Sequence, residues 1–158
     1  MANKVEQQLS PQQVDALSQL PLVFLITHDQ SKHWPITHAI SWVHAVDTHT
    51  IRFAIEADSH LVTTLKEHPV FTLIFFADQS TYSLTCTDVE SFTPQQQLPI
   101  PLSFYEGRVE EVRDILFYGA AITQQPRIEK TYDEKAADRL DQSVHHILKG
   151  SHSSQTRL

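Results

Sequence analysis

The sequence predicts a mainly β protein, a closed or partly closed antiparallel barrel with a few short peripheral helices and a C-terminal helix. Three observations support this class. Most apolar runs are short and alternate along the chain, turn residues separate them, and only a few segments have helical periodicity. The chain has 158 residues, of which 41% are hydrophobic. A single domain over residues 1–150 is therefore expected, followed by a disordered tail at 151–158.

The first helix is predicted from its start signals. Ser10 provides an N-cap, Pro11 takes the first helical position, and Gln13 completes a capping box. Val14 and Leu17 would form the buried side of this helix.

Two strands are expected next. Residues 22–27 form a continuous apolar run, which predicts a strand buried on both faces. Residues 36–46 alternate and predict a longer strand. The bulky face of that strand carries Ile36, His38, Ile40, Trp42, His44 and Val46. The other face carries Thr37, Ala39, Ser41, Val43 and Ala45. Such a small face suits a closely approaching partner or ligand.

A strand, a helix and a second strand are predicted within residues 51–77. The first strand alternates over 51–55, Asp58 and Ser59 start the helix, and Pro69 ends it before the apolar run 70–77. Backbone N–H groups at a helix start can hold an anion such as phosphate. The start of this helix is therefore where a phosphorylated ligand is expected.

The C-terminal half predicts further strands and one long helix. The strand segments are 81–87, 102–112 with Gly107 as a bulge or kink, 115–123, and a short edge strand at 127–132. Prolines and glutamines at 93–101 predict a loop. Asp133 caps the last helix and Gly150 ends it. Its apolar stripe consists of Ala137, Leu140, Val144, Ile147 and Leu148.

Composition excludes several function classes. The net charge is −7, with 12 basic and 19 acidic side chains, so no basic face is expected and nucleic acid is a poor partner. Three glycines cannot build a glycine-rich phosphate loop. No apolar run is long enough to cross a membrane, and the N-terminus lacks a signal region, which predicts a cytoplasmic protein. Cys86 is expected to be an apolar core residue.

The central unit resembles a known family. The succession of strand, Ser59, short helix, Glu67-His68-Pro69 and strand is similar to the pyridoxamine 5′-phosphate oxidase-like family, the FMN-binding split β-barrels. Residues 111–122 and 126–133 resemble the C-terminal part of bacterial members. The resemblance covers about residues 10–149. It implies a six-stranded antiparallel split β-barrel, a homodimer, and FMN in a groove between the two subunits.

The resemblance also implies cofactor-binding residues. Ser59 takes the position of a phosphate-binding hydroxyl and His60 that of the first basic residue. Ser41 and Trp42 lie on the strand that borders the flavin. Apart from the resemblance, Arg127 and Lys130 lie on opposite faces of the predicted edge strand at 127–132, so at most one of them can face the groove, and Lys130 is the candidate. Leu61 stands where the family has a lysine, and the strand at 36–46 lacks the usual basic residue.

Two functions stay open at this point. The first is a flavin-dependent oxidoreductase that acts on a small molecule through FMN, with catalytic residues that the sequence does not identify. The second is a split barrel without tightly bound FMN that binds another small molecule, such as haem or F420, or has a structural role. The ten histidines have no ligand spacing, so no metal site is predicted, although one histidine could serve as an axial ligand to haem.

Overall fold

Antiparallel strands form one continuous curled sheet in the computed structural model, which describes residues 4–150 and the backbone of 155–157. The strands are β1 (Val5–Glu6), β2 (Val23–Asp29), β3 (Trp34–Ile40), β4 (Val43–Ala45), β5 (Thr50–Glu56), β6 (Phe71–Ala77), β7 (Ser80–Phe92), β8 (Leu102–Asp114) and β9 (Gln155–Arg157). The helices are α1 (Pro11–Leu17), α2 (His60–Glu67) and α3 (Glu134–Lys149). None of these three helices is long and apolar enough to cross a lipid bilayer.

The main path of the sheet has seven strands in the order β3-β2-β6-β7-β8-β5-β4. β1 pairs with β8 and β9 pairs with β7 beside this path. The prediction of a mainly β fold with antiparallel strands is confirmed. The curled sheet forms a half-barrel, which is consistent with a split barrel. The predicted count of six strands is wrong, because the strand expected over 36–46 is divided into β3 and β4. The two pieces lie at opposite ends of the sheet order, so one bent segment supplies both ends of the curled sheet.

A tight turn at Ser41 and Trp42 separates β3 from β4. The Val43 N–H donates to the Ser41 carbonyl at 2.9 Å, which is a three-residue turn. The turn changes which residues face the main core: even-numbered positions face it before the turn and odd-numbered positions after it. Ile40 packs on the main core from β3, whereas Val43 and Ala45 do so from β4. The prediction of one bulky face and one small face throughout 36–46 is therefore wrong.

Three further predictions for the sheet were wrong. β2 alternates between buried and half-buried residues, so it is not buried on both faces as expected for 22–27. The strands predicted at 115–123 and 127–132 are absent, and residues 115–132 contain no strand or helix. Phe117 and Tyr118 are 75% and 95% exposed. Apolar residues alone do not make a strand, because a strand also needs a neighbouring strand edge with which to pair.

The predicted helix caps are confirmed. Ser10 Oγ accepts from the Gln13 N–H at 3.1 Å, and Gln13 Oε1 accepts from the Ser10 N–H at 2.8 Å. Ser59 caps α2, and Asp133 accepts from two N–H groups in the first turn of α3. The predicted tail at 151–158 lies outside the described residues, apart from the backbone of Gln155–Arg157, which pairs with β7.

Two apolar clusters hold the fold together. The larger one fills the inside of the curled sheet and includes Phe53, Phe71, Phe75 and the predicted core residue Cys86. The smaller one lies between the sheet and the apolar stripe of α3. It consists of Ala54, Phe92, Phe104, Val144, Ile147 and Leu148, with Trp42, Leu98, Leu102 and Leu140 at its margin. α3 thus packs on β4 and β5, and its apolar stripe shares a cluster with Phe92 of β7 and Phe104 of β8.

Gly107 lies at the irregularity that the sequence predicts in β8. β7 has one extra residue here, because Asp88 and Val89 both lie opposite Gly107, between the pairs Thr87–Arg108 and Glu90–Glu106. A Cβ on Gly107 would lie 2.6 Å from Phe71 Cε1 and 2.9 Å from Cys86 Cβ. Both neighbours are fully buried in the main core, so neither has space in which to move.

The substitution Gly107→Ala is expected to lower the free energy of unfolding by about 2 kcal/mol, because it forces a methyl group into a filled core. Urea unfolding followed by circular dichroism measures the change. Gly150→Ala is the matched control, since a Cβ there meets its nearest atom at 3.4 Å. Phe71→Leu should make the Gly107→Ala change less costly. Additive effects of the two substitutions would contradict the proposed clash.

Candidate functional site

A pocket of ≈ 350 Å³ opens where β3 turns into β4 and where β5 leads into α2. It is lined by His38, Ala39, Ile40, Ser41, Trp42, Ala54, Ile55, Glu56, Ser59, Leu61 and Lys130. The wall is therefore partly apolar, with a few polar side chains converging on it. Its volume lies within the range of about 300–1,000 Å³ that is typical of small-molecule sites.

Four of the five residues predicted from the sequence meet at this pocket. Ser41 and Trp42 come from the turn between β3 and β4, Ser59 from the N-cap of α2, and Lys130 from the irregular segment 115–132. Lys130 was expected on a short strand, and the structure brings it to the same pocket without one. His60, the fifth residue, does not line the pocket.

His60 instead forms a hydrogen bond with Asp29 at the end of β2. Its Nε2 lies 2.9 Å from Asp29 Oδ2. Asp29 Oδ1 also accepts from the N–H and hydroxyl of Ser31 and from the Lys32 N–H. The hydrogen bond from His60, followed by that from Ser31, holds the pKa of the Asp29 carboxyl well below its usual range. His60 thus joins the first turn of α2 to the turn after β2.

The start of α2 offers less to an anion than the sequence predicts. Ser59 Oγ accepts from the Leu61 N–H at 3.2 Å, and the Ser59 carbonyl accepts from the Val62 N–H at 3.1 Å. Ser59 therefore already satisfies these two amides. Leu61, at the position where a lysine was expected, is 1% exposed and belongs to the main core. The contribution of this end of the pocket to binding would come from the Ser59 hydroxyl.

Asp141 contacts two of the predicted site residues and was not itself among them. Its Oδ1 accepts from Trp42 Nε1 at 2.7 Å, and its Oδ2 lies 3.2 Å from Lys130 Nζ. The sequence does contain a signal. Asp141 follows Ala137 by four positions and precedes Val144 by three, so this carboxylate lies on the apolar face of α3.

His38 is a second residue that the predicted set omitted. It lies on β3 at the pocket wall, and its Nδ1 is buried with no hydrogen-bond partner in the described part of the chain. A buried polar atom usually has a partner, so this nitrogen is a candidate contact for a ligand. The alternation of β3 could have identified His38, because the residue lies two positions from Ile40 and thus on the same face.

Arg52 and two histidines join α3 to the sheet. Arg52 donates to the carbonyls of Leu148 and Gly150 at the end of α3, and its Nε lies 2.8 Å from Glu106 Oε1. The rings of His44 and His145 pack edge to face at 5.4 Å between centroids. Because α3 carries Asp141, these contacts also fix one side of the pocket.

Burial sets the ionisation of this pair. It lowers the pKa of His44 to about 4, and the charges of His145, Lys149 and Arg52 act in the same direction. The pKa of His145 is also lowered, first by burial and then by Lys149, whereas a hydrogen bond to the Ser18 backbone opposes the shift. Both rings are therefore expected to be neutral at neutral pH.

Other parts of the described chain carry weaker candidates. A larger cavity of ≈ 720 Å³ lies at the irregularity of β7 and β8, but Asp88, Glu90, Glu106 and Arg108 dominate its wall and none of the predicted site residues reaches it. Residues 4–150 contain no group of three or more His, Cys, Asp or Glu side chains placed to hold a metal ion. Burial raises the pKa of the Cys86 thiol, which makes it a poor nucleophile.

Solved structures share this fold. A candidate pyridoxamine 5′-phosphate oxidase from Lactobacillus delbrueckii superposes with a TM-score of 0.59 at 16% identity, over 71% of this chain and 98% of that one. HupZ from Group A Streptococcus gives a TM-score of 0.57 at 14% identity, over 73% and 99% of the two chains. An F420 reductase gives a TM-score of 0.51 at 14% identity, over 62% and 93%.

These comparisons confirm the resemblance at the level of the fold. The similar structures include pyridoxamine 5′-phosphate oxidase-like proteins. No protein-family model matches the sequence, and no curated protein matches it significantly. At identities this low the similarity extends to the fold alone, so the chemistry of the site has to be judged from the side chains of this chain.

The buried histidines predict a loss of stability in mild acid. The pKa of His44 is about 4 in the folded chain, against an ordinary value of 6.5, so the unfolded chain binds a proton first as the pH falls. The contribution of the neutral His44 ring to the free energy of unfolding should be fully present above pH 6.5. It should fall as the pH decreases towards 4, by about 3 kcal/mol at most. Urea unfolding across this pH range measures the loss.

The variant His44→Gln should flatten this pH dependence, because glutamine does not titrate. His33→Gln is the control, since the His33 side chain is exposed in the turn after β2 and its replacement should leave the slope unchanged. An equal slope in the wild type and in His44→Gln would show that burial of this ring does not set the acid limit.

Proposed function

We propose that this protein binds FMN in the pocket at the turn between β3 and β4 and that the flavin makes it an oxidoreductase of a small molecule. One observation carries the proposal: four of the five side chains predicted from the sequence to bind the cofactor line a single pocket, although they come from three distant parts of the chain. The volume of the pocket, ≈ 350 Å³, suits the binding of a small molecule.

The side chains of the pocket fit the two halves of FMN differently. The apolar residues and Trp42 would hold the ring, and the small side chain of Ala39 leaves space at the wall. Lys130 Nζ would supply the cation for the phosphate, assisted by the hydroxyls of Ser41 and Ser59. When bound, FMN would supply the capacity to transfer hydride or single electrons, while the protein binds and orients it.

A homodimer is part of this proposal. It is supported by the large apolar side chains that a single chain leaves exposed, of which the five most exposed are Trp34, Phe117, Tyr118, Ile128 and Tyr132. Four of them belong to the irregular segment 115–132, which also delivers Lys130 to the pocket. Sedimentation equilibrium of the purified chain would show a monomer at micromolar concentration if this part of the proposal is wrong.

The substitution Ala39→Lys is expected to tighten FMN binding about tenfold, which corresponds to about 1.4 kcal/mol. The reason is that the described residues of the pocket wall include one lysine for a phosphate dianion, and Ala39 is an exposed residue of that wall. Quenching of flavin fluorescence during titration measures the affinity, and the absorbance spectrum of the purified protein shows whether flavin is retained.

Thr37→Lys is the matched control. It adds the same charge to the same face of β3, two residues away, but Thr37 does not line the pocket. Its effect on FMN affinity should be small. If the wild type neither retains flavin nor binds added FMN, or if the two lysine variants behave alike, FMN does not bind in this pocket.

Haem is the second candidate ligand, and one observation favours it. His38 lies at the pocket wall with a ring nitrogen that has no hydrogen-bond partner in the described residues. A neutral imidazole nitrogen of this kind can serve as an axial ligand to haem iron.

If haem binds here, titration with haemin should give a sharp Soret band in the wild type that His38→Ala loses. His33→Ala, which changes an exposed histidine outside the pocket, should keep the band. Identical spectra for the wild type and His38→Ala would exclude His38 as the ligand. The same preparations titrated with FMN allow the two candidate ligands to be compared directly.

A further inference from the structure

We propose that Asp141 determines the ligand specificity of the pocket by competing with anionic ligands for Lys130. A ligand anion would bind by displacing the Asp141 carboxylate, and the folded protein would therefore gain little from a phosphate group on its ligand. This inference rests on the proposed function, because it concerns which small molecule the same pocket accepts.

The ion pair is partly withdrawn from solvent. The side chains of Lys130 and Asp141 are 27% and 20% exposed, and Lys130 Nζ lies 3.3 Å from Oδ1 and 3.2 Å from Oδ2 of the carboxylate. Both oxygens therefore face the same ammonium group. Reduced contact with water strengthens such a pair relative to one on the open surface.

Within residues 4–150, no other lysine or arginine lines the site beside Lys130. Lys130 lines both the pocket and an adjoining cleft of ≈ 590 Å³, and among the described residues it is the only lysine or arginine that lines either one. Glu56 at the pocket wall adds a negative charge. With Lys130 neutralised by Asp141, the surroundings of the pocket do not carry the excess positive charge that a phosphate dianion requires.

Asp141 cannot release Lys130 without affecting Trp42. Its Oδ1 accepts from Trp42 Nε1 at 2.7 Å, so one carboxylate holds both the ring and the cation of the pocket. This connection provides a way to separate the two roles. An asparagine side chain at this position would retain an oxygen that accepts from the indole but would lose the charge that pairs with Lys130. The test variant is therefore Asp141→Asn rather than Asp141→Ala.

The connection also provides a spectroscopic readout. The chain has two tryptophans, Trp34 and Trp42, and Trp34 is 54% exposed on β3, away from the residues that line the pocket. In a Trp34→Phe background the remaining tryptophan fluorescence comes from Trp42. Binding of an anion at Lys130 would move the Asp141 carboxylate and change that fluorescence, whether or not a flavin binds.

The experiment measures three dissociation constants in the Trp34→Phe background: for inorganic phosphate by Trp42 fluorescence, and for FMN and riboflavin by flavin fluorescence. We expect Asp141→Asn to tighten the binding of phosphate and FMN about fivefold and to leave riboflavin unchanged. Asp141→Asn combined with Lys130→Gln should lose this gain. Asp138→Asn is the matched control, since it removes the same charge one turn earlier on α3.

The outcomes separate this inference from the proposed function. If phosphate does not perturb Trp42 in any variant, or if Asp141→Asn and Asp138→Asn tighten phosphate binding equally, Asp141 does not compete for Lys130 and the inference is overturned. If neither flavin binds any variant, the flavin proposal fails, while the phosphate titrations still decide the role of Asp141. A fivefold gain for phosphate that requires Lys130 supports the inference.

Discussion

The turn at Ser41 and Trp42 is the constraint on which the rest of the structure depends. It divides one segment of chain into β3 and β4 and places these pieces at opposite ends of the sheet order. Because a single bent segment supplies both ends, the two ends of the curled sheet lie close to each other at the turn. The turn also exchanges the inner and outer faces, so Val43 and Ala45 enter the main core while Trp42 packs beside α3. The pocket lies at this turn, between β3 and β4.

α3 supplies the carboxylate that lies beside the turn. Its apolar stripe covers the outer cluster of the sheet, and Arg52 and the His44–His145 pair hold its C-terminal half. Asp141 lies on the same buried face and reaches Trp42 and Lys130. A carboxylate in such a position costs desolvation energy unless it has partners, and these two donors provide them. The packing of α3 and the charge of the pocket are therefore set by the same contacts.

The sequence allowed good predictions where a pattern involves only near neighbours. The caps at Ser10, Ser59 and Asp133 depend on residues two or three positions away, and all three were identified. Ser41, Trp42 and Ser59 were placed at the site through the family resemblance, and Lys130 was a candidate cation on a predicted edge strand. The structure brings all four to one pocket. His60 could not be assigned in this way, because its partner Asp29 is 31 positions distant in the sequence.

The sequence by itself determined the mainly antiparallel sheet, the helix starts and the apolar stripe of α3, because alternation, capping and helical periodicity are local properties of the chain. Only the tertiary structure decided that the segment 36–46 bends into two strands, that 115–132 remains without a strand, and that Asp141 meets Lys130. Each of these depends on contacts between distant residues. Strand pairing and ion pairing are satisfied by whichever groups the fold brings within reach, and no local pattern specifies those groups.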